Sequence, residues 1–325
     1  MSFVNHSRVI AVGAIALATI LTATACSAGG GSGSATAGPG TAGIVEFDST
    51  SQIDSLFVDG AQKALKAKGY TVTSQDPSGD PGKANSICTQ FVTQQVKVLI
   101  VTTFALNQMA TCMAGAKAAN IPVFYIGSPL LAGMAGSVDV TSPKPINDLF
   151  IKYLKDNSVT DVLTLDYSPG TPCHVRADYR TKELANLPSV KVTKHEFPIP
   201  GQLVDAQNAT AAWLQAHPAG SGKFAIWACF TDPTAGAVAA IKQAGRTDDI
   251  PIFTWDFNKE IQVPVAQGEV AATLSLNGTQ VGGQIVEAIT NYLKTGKAEG
   301  VAAENTILTK DNVAQFIKDN PDSVK

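Results

Sequence analysis

Short β-branched runs alternate with amphipathic helical stretches from residue 43 to residue 293, and this alternation limits the folds open to the chain. Residues 43–47, 70–73, 98–101 and 122–126 read as strands, and 55–68, 83–95 and 107–119 as the helices between them. Val98-Leu99-Ile100-Val101 is apolar throughout, which predicts a strand covered on both faces. Gly69 ends the first helix, and 76–81 is loop. The pattern then starts again. Strands are expected at 162–165, 190–197, 224–228, 252–255 and 271–276, with helices at 176–184, 204–216, 235–244, 260–267 and 280–293. Strands alternating with helices of this length imply right-handed crossovers and a parallel sheet with both faces covered. One such unit used twice predicts an α/β fold of two doubly wound lobes. No sequence repeat underlies the architectural one.

The first 42 residues are of a different kind. Arg8 precedes an apolar stretch over 9–21, which ends in Ala23-Thr24-Ala25-Cys26 and a Gly/Ser/Ala/Thr-rich run. A charged start, an apolar middle and small residues at a cleavage site predict an export signal over 1–25, cut before Cys26. The apolar middle is too short for a convincing membrane span. Residues 21–26 resemble a lipobox, which implies a lipidated Cys26 and a flexible tether over 26–42. The alternative is an ordinary A-x-A cleavage site at the same bond. Removing Arg8 with the signal leaves 23 basic against 27 acidic side chains, net −4. A mildly acidic exported chain does not invite nucleic acid.

Four further cysteines allow three connectivities, with buried free thiols as the alternative. Cys88 falls on the second helix of the first lobe and Cys112 on the third. In a lobe of strand order 2-1-3 these helices lie side by side. Cys173 and Cys229 follow the first and third strands of the second lobe, neighbours in the same order. The expected pairs are Cys88–Cys112 and Cys173–Cys229. No CxxC or HxxxH spacing suggests a metal. No phosphate-binding glycine motif is present, and no cofactor is expected. His174 beside Cys173 lacks a catalytic partner and reads as a surface-loop residue. Nothing in the chain assembles a nucleophile–base set, so an enzyme is not expected.

Three stretches carry a family resemblance. They are residues 57–70, residues 116–123 with Asn120-Ile121-Pro122-Val123, and the series from Thr231-Asp232-Pro233 through Thr254-Trp255-Asp256 and residues 267–273 to Gly282-Gly283. In order and spacing the chain is similar to the type I periplasmic binding proteins of ABC importers, most of all their ribose-binding branch. The resemblance implies two lobes joined by a three-segment hinge near Asp139, Leu276 and Asn305. The N-lobe would comprise 43–140 plus 277–305, and the C-lobe 141–276 plus 306–318. It also implies a monomeric, lipid-tethered receptor on the outer face of the cytoplasmic membrane, handing a small sugar or polyol to a membrane-embedded ABC permease. A sensory receptor on the same fold is the alternative.

The ligand would lie in the cleft at the strand C-termini. Asp256 matches a family carboxylate that accepts sugar hydroxyls; its alternative is a helix N-cap. Arg176, placed between loop and helix, matches a ligand-binding arginine region; a solvated first-turn residue is the alternative. Asp232 could bind ligand, although a cap for the next helix is the more economical role. Phe47, Phe104, Phe230 and Trp255 fall near strand C-termini and could stack on a sugar or pack in the core. The departures from the family pattern are specific. Ser51-Gln52-Ile53-Asp54 replaces an N-P-aromatic-aromatic run, Gly127-Ser128-Pro129 an Asp-Arg clamp, and Leu276-Asn277 a glutamine. Asp48, Asp54, Ser128 and Asn277 are therefore the compensating polar candidates, or else the ligand is less hydroxylated. Tight ribose binding is not expected.

Overall fold

The computed structural model describes residues 39–324. The expected signal, cleavage site and Cys26 lie outside these residues. The first sheet gathers β1 (Thr41–Val45), β2 (Thr71–Gln75), β3 (Val98–Thr102), β4 (Val123–Ile126) and β5 (Gly136–Asp139), with β11 (Glu299–Ala302) added from the far end of the chain. Its order is β11-β5-β4-β3-β1-β2, and every pairing is parallel. The second holds β6 (Asp161–Asp166), β7 (Lys191–Glu196), β8 (Phe224–Ala228), β9 (Ile252–Phe253), β10 (Val270–Leu276) and β12 (Asn305–Leu308). Its order is β12-β10-β9-β8-β6-β7, parallel except for β12. This is the two-lobed α/β fold that the alternation predicts. The chain crosses between the sheets three times, after β5, after β10 and between β11 and β12.

The helices follow from their apolar stripes. On α1 (Gln52–Ala67) the residues Phe57, Val58, Ala61 and Leu65 are buried, the spacing of one helical face. α9 (Gly278–Thr295) buries Val281, Ile285, Val286 and Ile289 in the same way. These two helices approach closely because Gly60 and Gly282 face each other's backbone. A Cβ on Gly60 would collide with the Thr279 main chain, and one on Gly282 with Phe57 and Ala61. The second lobe repeats the device, Gly236 of α7 (Thr231–Gln243) lying against the Leu203 main chain of α6 (Gln202–Ala216).

The remaining helices are α2 (Pro81–Thr93), α3 (Ala110–Ala118), α4 (Lys144–Asp156), α5 (Thr171–Leu184), α8 (Lys259–Gln267) and α10 (Val313–Asp319). Cys88 of α2 joins Cys112 of α3, and Cys173 of α5 joins Cys229 after β8, the pairing expected from the lobe topology.

Two helices start a full turn or more earlier than expected. α5 begins at Thr171 rather than 176, and α7 at Thr231 rather than 235. Pro172 and Pro233 explain both, because the first turn of a helix tolerates a missing N–H that would be unpaired anyway. His174 therefore sits on α5, exposed beside Asp178, and not in a loop. The short strands β5, β11 and β12 and the helices α4 and α10 are absent from the sequence reading. Gly136-Ser137-Val138-Asp139 has little intrinsic strand preference and is held by its neighbours.

Candidate functional site

Both lobes bring strand C-termini to one cavity of about 50 Å³. From the first lobe come Phe47 beyond β1, Asp54 in the first turn of α1, and Thr103 just after β3. From the second come Tyr167 after β6, Arg176 on α5, Phe230 after β8 and Asp256 after β9. The lobes also touch directly. The Thr171 N–H donates to the Thr103 carbonyl at 3.2 Å, and Phe104 bridges to Gly170.

Asp256 occupies a costly position. It is 4% exposed with φ 67°, in the left-handed region. Its N–H donates to the Leu274 carbonyl at 2.8 Å, and its carbonyl accepts from the Thr273 hydroxyl. Oδ1 is buried with no hydrogen-bond partner, and Oδ2 lies 3.8 Å from Nη1 of Arg176. Burial raises its pKa, and the Arg176 charge opposes the rise. The cap role belongs to a different residue: the Asn258 carboxamide accepts from the Glu260 and Ile261 N–H groups at the start of α8.

Asp54 is likewise buried, and its Oδ1 accepts from the Thr103 hydroxyl at 3.0 Å. Burial pushes its carboxyl up to about 7, the Thr103 hydrogen bond opposes this, and the charges of Asp256 and Asp48 add to it. Burial and the nearby Asp48 and Asp54 carboxylates raise the Tyr167 hydroxyl to about 12. Arg176 is 2% exposed, in the second turn of α5 rather than at a loop junction. Burial lowers its pKa, against the pull of Asp256 and Asp139.

The structure thus brings Phe47, Asp54, Arg176, Phe230 and Asp256 together. The other expected positions lie elsewhere. Phe104 stands behind Phe47, ring centroids 4.7 Å apart, and does not line the cavity. The Ser128 hydroxyl is turned to the Pro129 carbonyl. Asn277 caps α9 through the Gln280 N–H. Asp48 is engaged by the Thr50 N–H and hydroxyl. Asp232 is not a cap: Phe230 holds the N-cap position of α7 without a side-chain bond, and the Asp232 carboxylate accepts from the Gln202 amide at 2.8 Å. It lies on a separate groove with Thr50, Gln202 and Glu260, its pKa raised to about 6 by burial above all. Trp255 is fully buried, edge-on to Trp227.

Thr103 and Tyr167 are absent from the sequence reading. Thr103 is a β-branched residue at φ 54°, an outlier that a sequence does not announce. Among the described residues no group of three or more His, Cys, Asp or Glu could hold a metal ion, and no helix is long and apolar enough to cross a membrane.

This geometry belongs to a known class. Residues 44–298 match the periplasmic binding protein domain model, and the chain belongs to that family, one of binding proteins rather than enzymes. Membership implies export. The chain is 25% identical over 251 residues to the ribose import binding protein of Escherichia coli, covering 74% of this chain and 80% of that one. It is 26% identical over 273 residues to the D-apiose import binding protein of Paraburkholderia graminis, covering 79% and 83%. Among solved structures, an ABC transporter solute binding protein from Agrobacterium vitis with bound allitol superimposes with a TM-score of 0.78 at 21% identity, covering 87% of this chain and all of that one.

Proposed function

We propose that the protein is an extracytoplasmic solute-binding lipoprotein that captures a small sugar or polyol between its lobes and delivers it to an ABC permease. One observation carries this reading. Two buried carboxylates, Asp54 and Asp256, border a cavity walled by Phe47, Tyr167 and Phe230, and Asp256 Oδ1 has no hydrogen-bond partner. A carboxylate oxygen accepts hydroxyl donors, and ring faces suit the C–H faces of a sugar. Import binding proteins for ribose and apiose among the relatives support the same class. The polar side chains of the cavity are few, namely Ser51, Asp54, Thr103, Arg176 and Asp256 with the Tyr167 hydroxyl. That favours a ligand with fewer hydroxyls than a hexose, and weak binding of ribose itself.

A thermal-shift panel of ribose, apiose, allitol, deoxy sugars, sugar phosphates and amino acids tests the class. A ligand at a hundred times its Kd adds about 2.7 kcal/mol, on the order of 4–5 °C for a chain of this size. The expected hit is a neutral small sugar or polyol. Shifts confined to sugar phosphates or amino acids would overturn the reading. For the anchor at Cys26, Cys26→Ala should release the protein from the membrane fraction. A wild-type chain found soluble with an unmodified Cys26 terminus would refute the lipid anchor.

A further inference from the structure

The side chain of Arg176 is committed mainly to backbone, and the backbone is that of the hinge. Nη2 donates to the Val140 carbonyl at 2.8 Å and Nε to the Thr141 carbonyl at 2.9 Å. The next carbonyl, Ser142, accepts from the indole Nε1 of Trp255 at 3.0 Å. Three consecutive carbonyls of the first crossing segment are therefore satisfied by two buried side chains of the second lobe. The guanidinium also lies over the Trp255 ring, 5.2 Å from its centroid. Its third bond, from Nη1 to the Cys229 carbonyl at 2.8 Å, ties the same group to the end of β8 beside Phe230. The base of the arginine is fixed as well, because Asn147 Nδ2 donates to the Arg176 carbonyl. Finally, Asn305 Nδ2 reaches Ser142 Oγ at 2.9 Å and joins the third crossing to the first.

The preceding residue belongs to the other lobe. Asp139 ends β5, paired with β11, and its carbonyl accepts from the Ala303 N–H. The carbonyls from Val140 onward are held by the second lobe, whereas the Val140 side chain packs in the first-lobe core and the Thr141 N–H donates to Asp139 Oδ1 at 2.8 Å. Charge-assisted bonds to a buried guanidinium are stronger than neutral ones. Relative motion is then left to the dihedrals between the two sets of contacts. Hinges are a few residues that absorb such a change.

We propose that Arg176 is a positioning residue that fixes the carbonyls of residues 140–142 to the second lobe and confines cleft opening, in the first crossing, to the backbone around Val140, whose side chain stays with the first lobe. In this role it holds the hinge strand, the Phe230 wall and the Asp256 carboxylate in one frame, and does not serve as a free donor fork for ligand. The inference builds on the ligand-binding reading of the cleft, but its test needs no ligand and so fails or succeeds independently.

The test is amide hydrogen exchange on the full, ligand-stripped chain, for wild type, Arg176→Met, Arg176→Lys and Asp256→Asn. The Met variant keeps side-chain bulk and loses all donors; the Lys variant keeps the charge and loses the fork. Exchange over residues 140–142 should accelerate at least tenfold in Arg176→Met and by less in Arg176→Lys. Exchange in β8 and β6 should stay at the wild-type rate, and in Asp256→Asn residues 140–142 should exchange more slowly than in Arg176→Met because the three carbonyl bonds remain. Small-angle scattering of Arg176→Met should show a broader spread of lobe separations. Unchanged exchange at 140–142 would overturn the proposal. So would uniform acceleration through the second lobe in both Arg176 variants, which would make the residue a core support rather than a hinge fixture.

Discussion

Replacing Asp54 with asparagine should convert a pH-dependent penalty into a constant one. Asp54 ionises near 3.8 when unfolded and, raised by burial, at about 7 in the folded protein. At 1.36 kcal/mol per pH unit, that rise corresponds to about 4 kcal/mol. Between the two values the native state keeps a proton that the unfolded chain has released. This group's contribution to stability is therefore complete below its unfolded pKa and is lost as pH rises through the folded pKa. The substituted carboxamide would keep the side chain's shape and could still accept the Thr103 hydrogen bond, but it would not titrate. The variant should match wild type near pH 4 and exceed it by about 4 kcal/mol at pH 8. Urea unfolding of ligand-stripped protein with its disulfides intact, at intervals from pH 4 to 8, measures the difference. Asp232, raised to about 6, and Asp256, also raised, bend the wild-type profile the same way, so the comparison of the two chains is what isolates Asp54. A difference that is flat with pH, or largest at low pH, would refute the reasoning.

Further outcomes follow from the packing. Gly60→Ala should lower stability by about 1–3 kcal/mol despite alanine's better helix propensity, because the new methyl meets the Thr279 main chain; a raised Tm would contradict that. Arg180→Met should cost about 3–5 kcal/mol in denaturant unfolding, since Asp166, bound at 2.7 Å, is left as a buried charge without its partner. Replacing Cys88 and Cys112 together by alanine should lower stability by about 2–4 kcal/mol without altering the cleft, seen as a Tm shift with unchanged ligand affinity.

The lobes were legible because long apolar strands such as Val98–Thr102 and Phe224–Ala228 and striped helices such as α1 carry their burial in their own sequence. Elements stabilised by neighbours were not: β11 is an edge strand and β5, beside it, is a short one of weak preference, and α5 hides its start behind Pro172. At the site, residue type pointed to Asp54, Asp256 and the rings. It could not separate Phe47, which lines the cavity, from Phe104 behind it, since both follow strand ends. Nor could it reveal Thr103, whose role depends on a left-handed backbone. Arg176 shows the opposite limit: a charged residue near a cleft suggests a ligand contact, whereas its donors reach three carbonyls distant in sequence.

The central claim is that the cavity between the lobes binds a neutral hydroxylated ligand through its buried carboxylates. Calorimetric titration of wild type and Asp256→Ala with the best ligand of the thermal panel tests it most directly. Loss of a charged hydrogen-bond partner should remove about 1.5–3 kcal/mol. The account predicts one-to-one binding in wild type and an affinity roughly ten- to a hundredfold weaker in the folded variant. Equal affinity in the two proteins, or no binding of any neutral sugar or polyol, would contradict it.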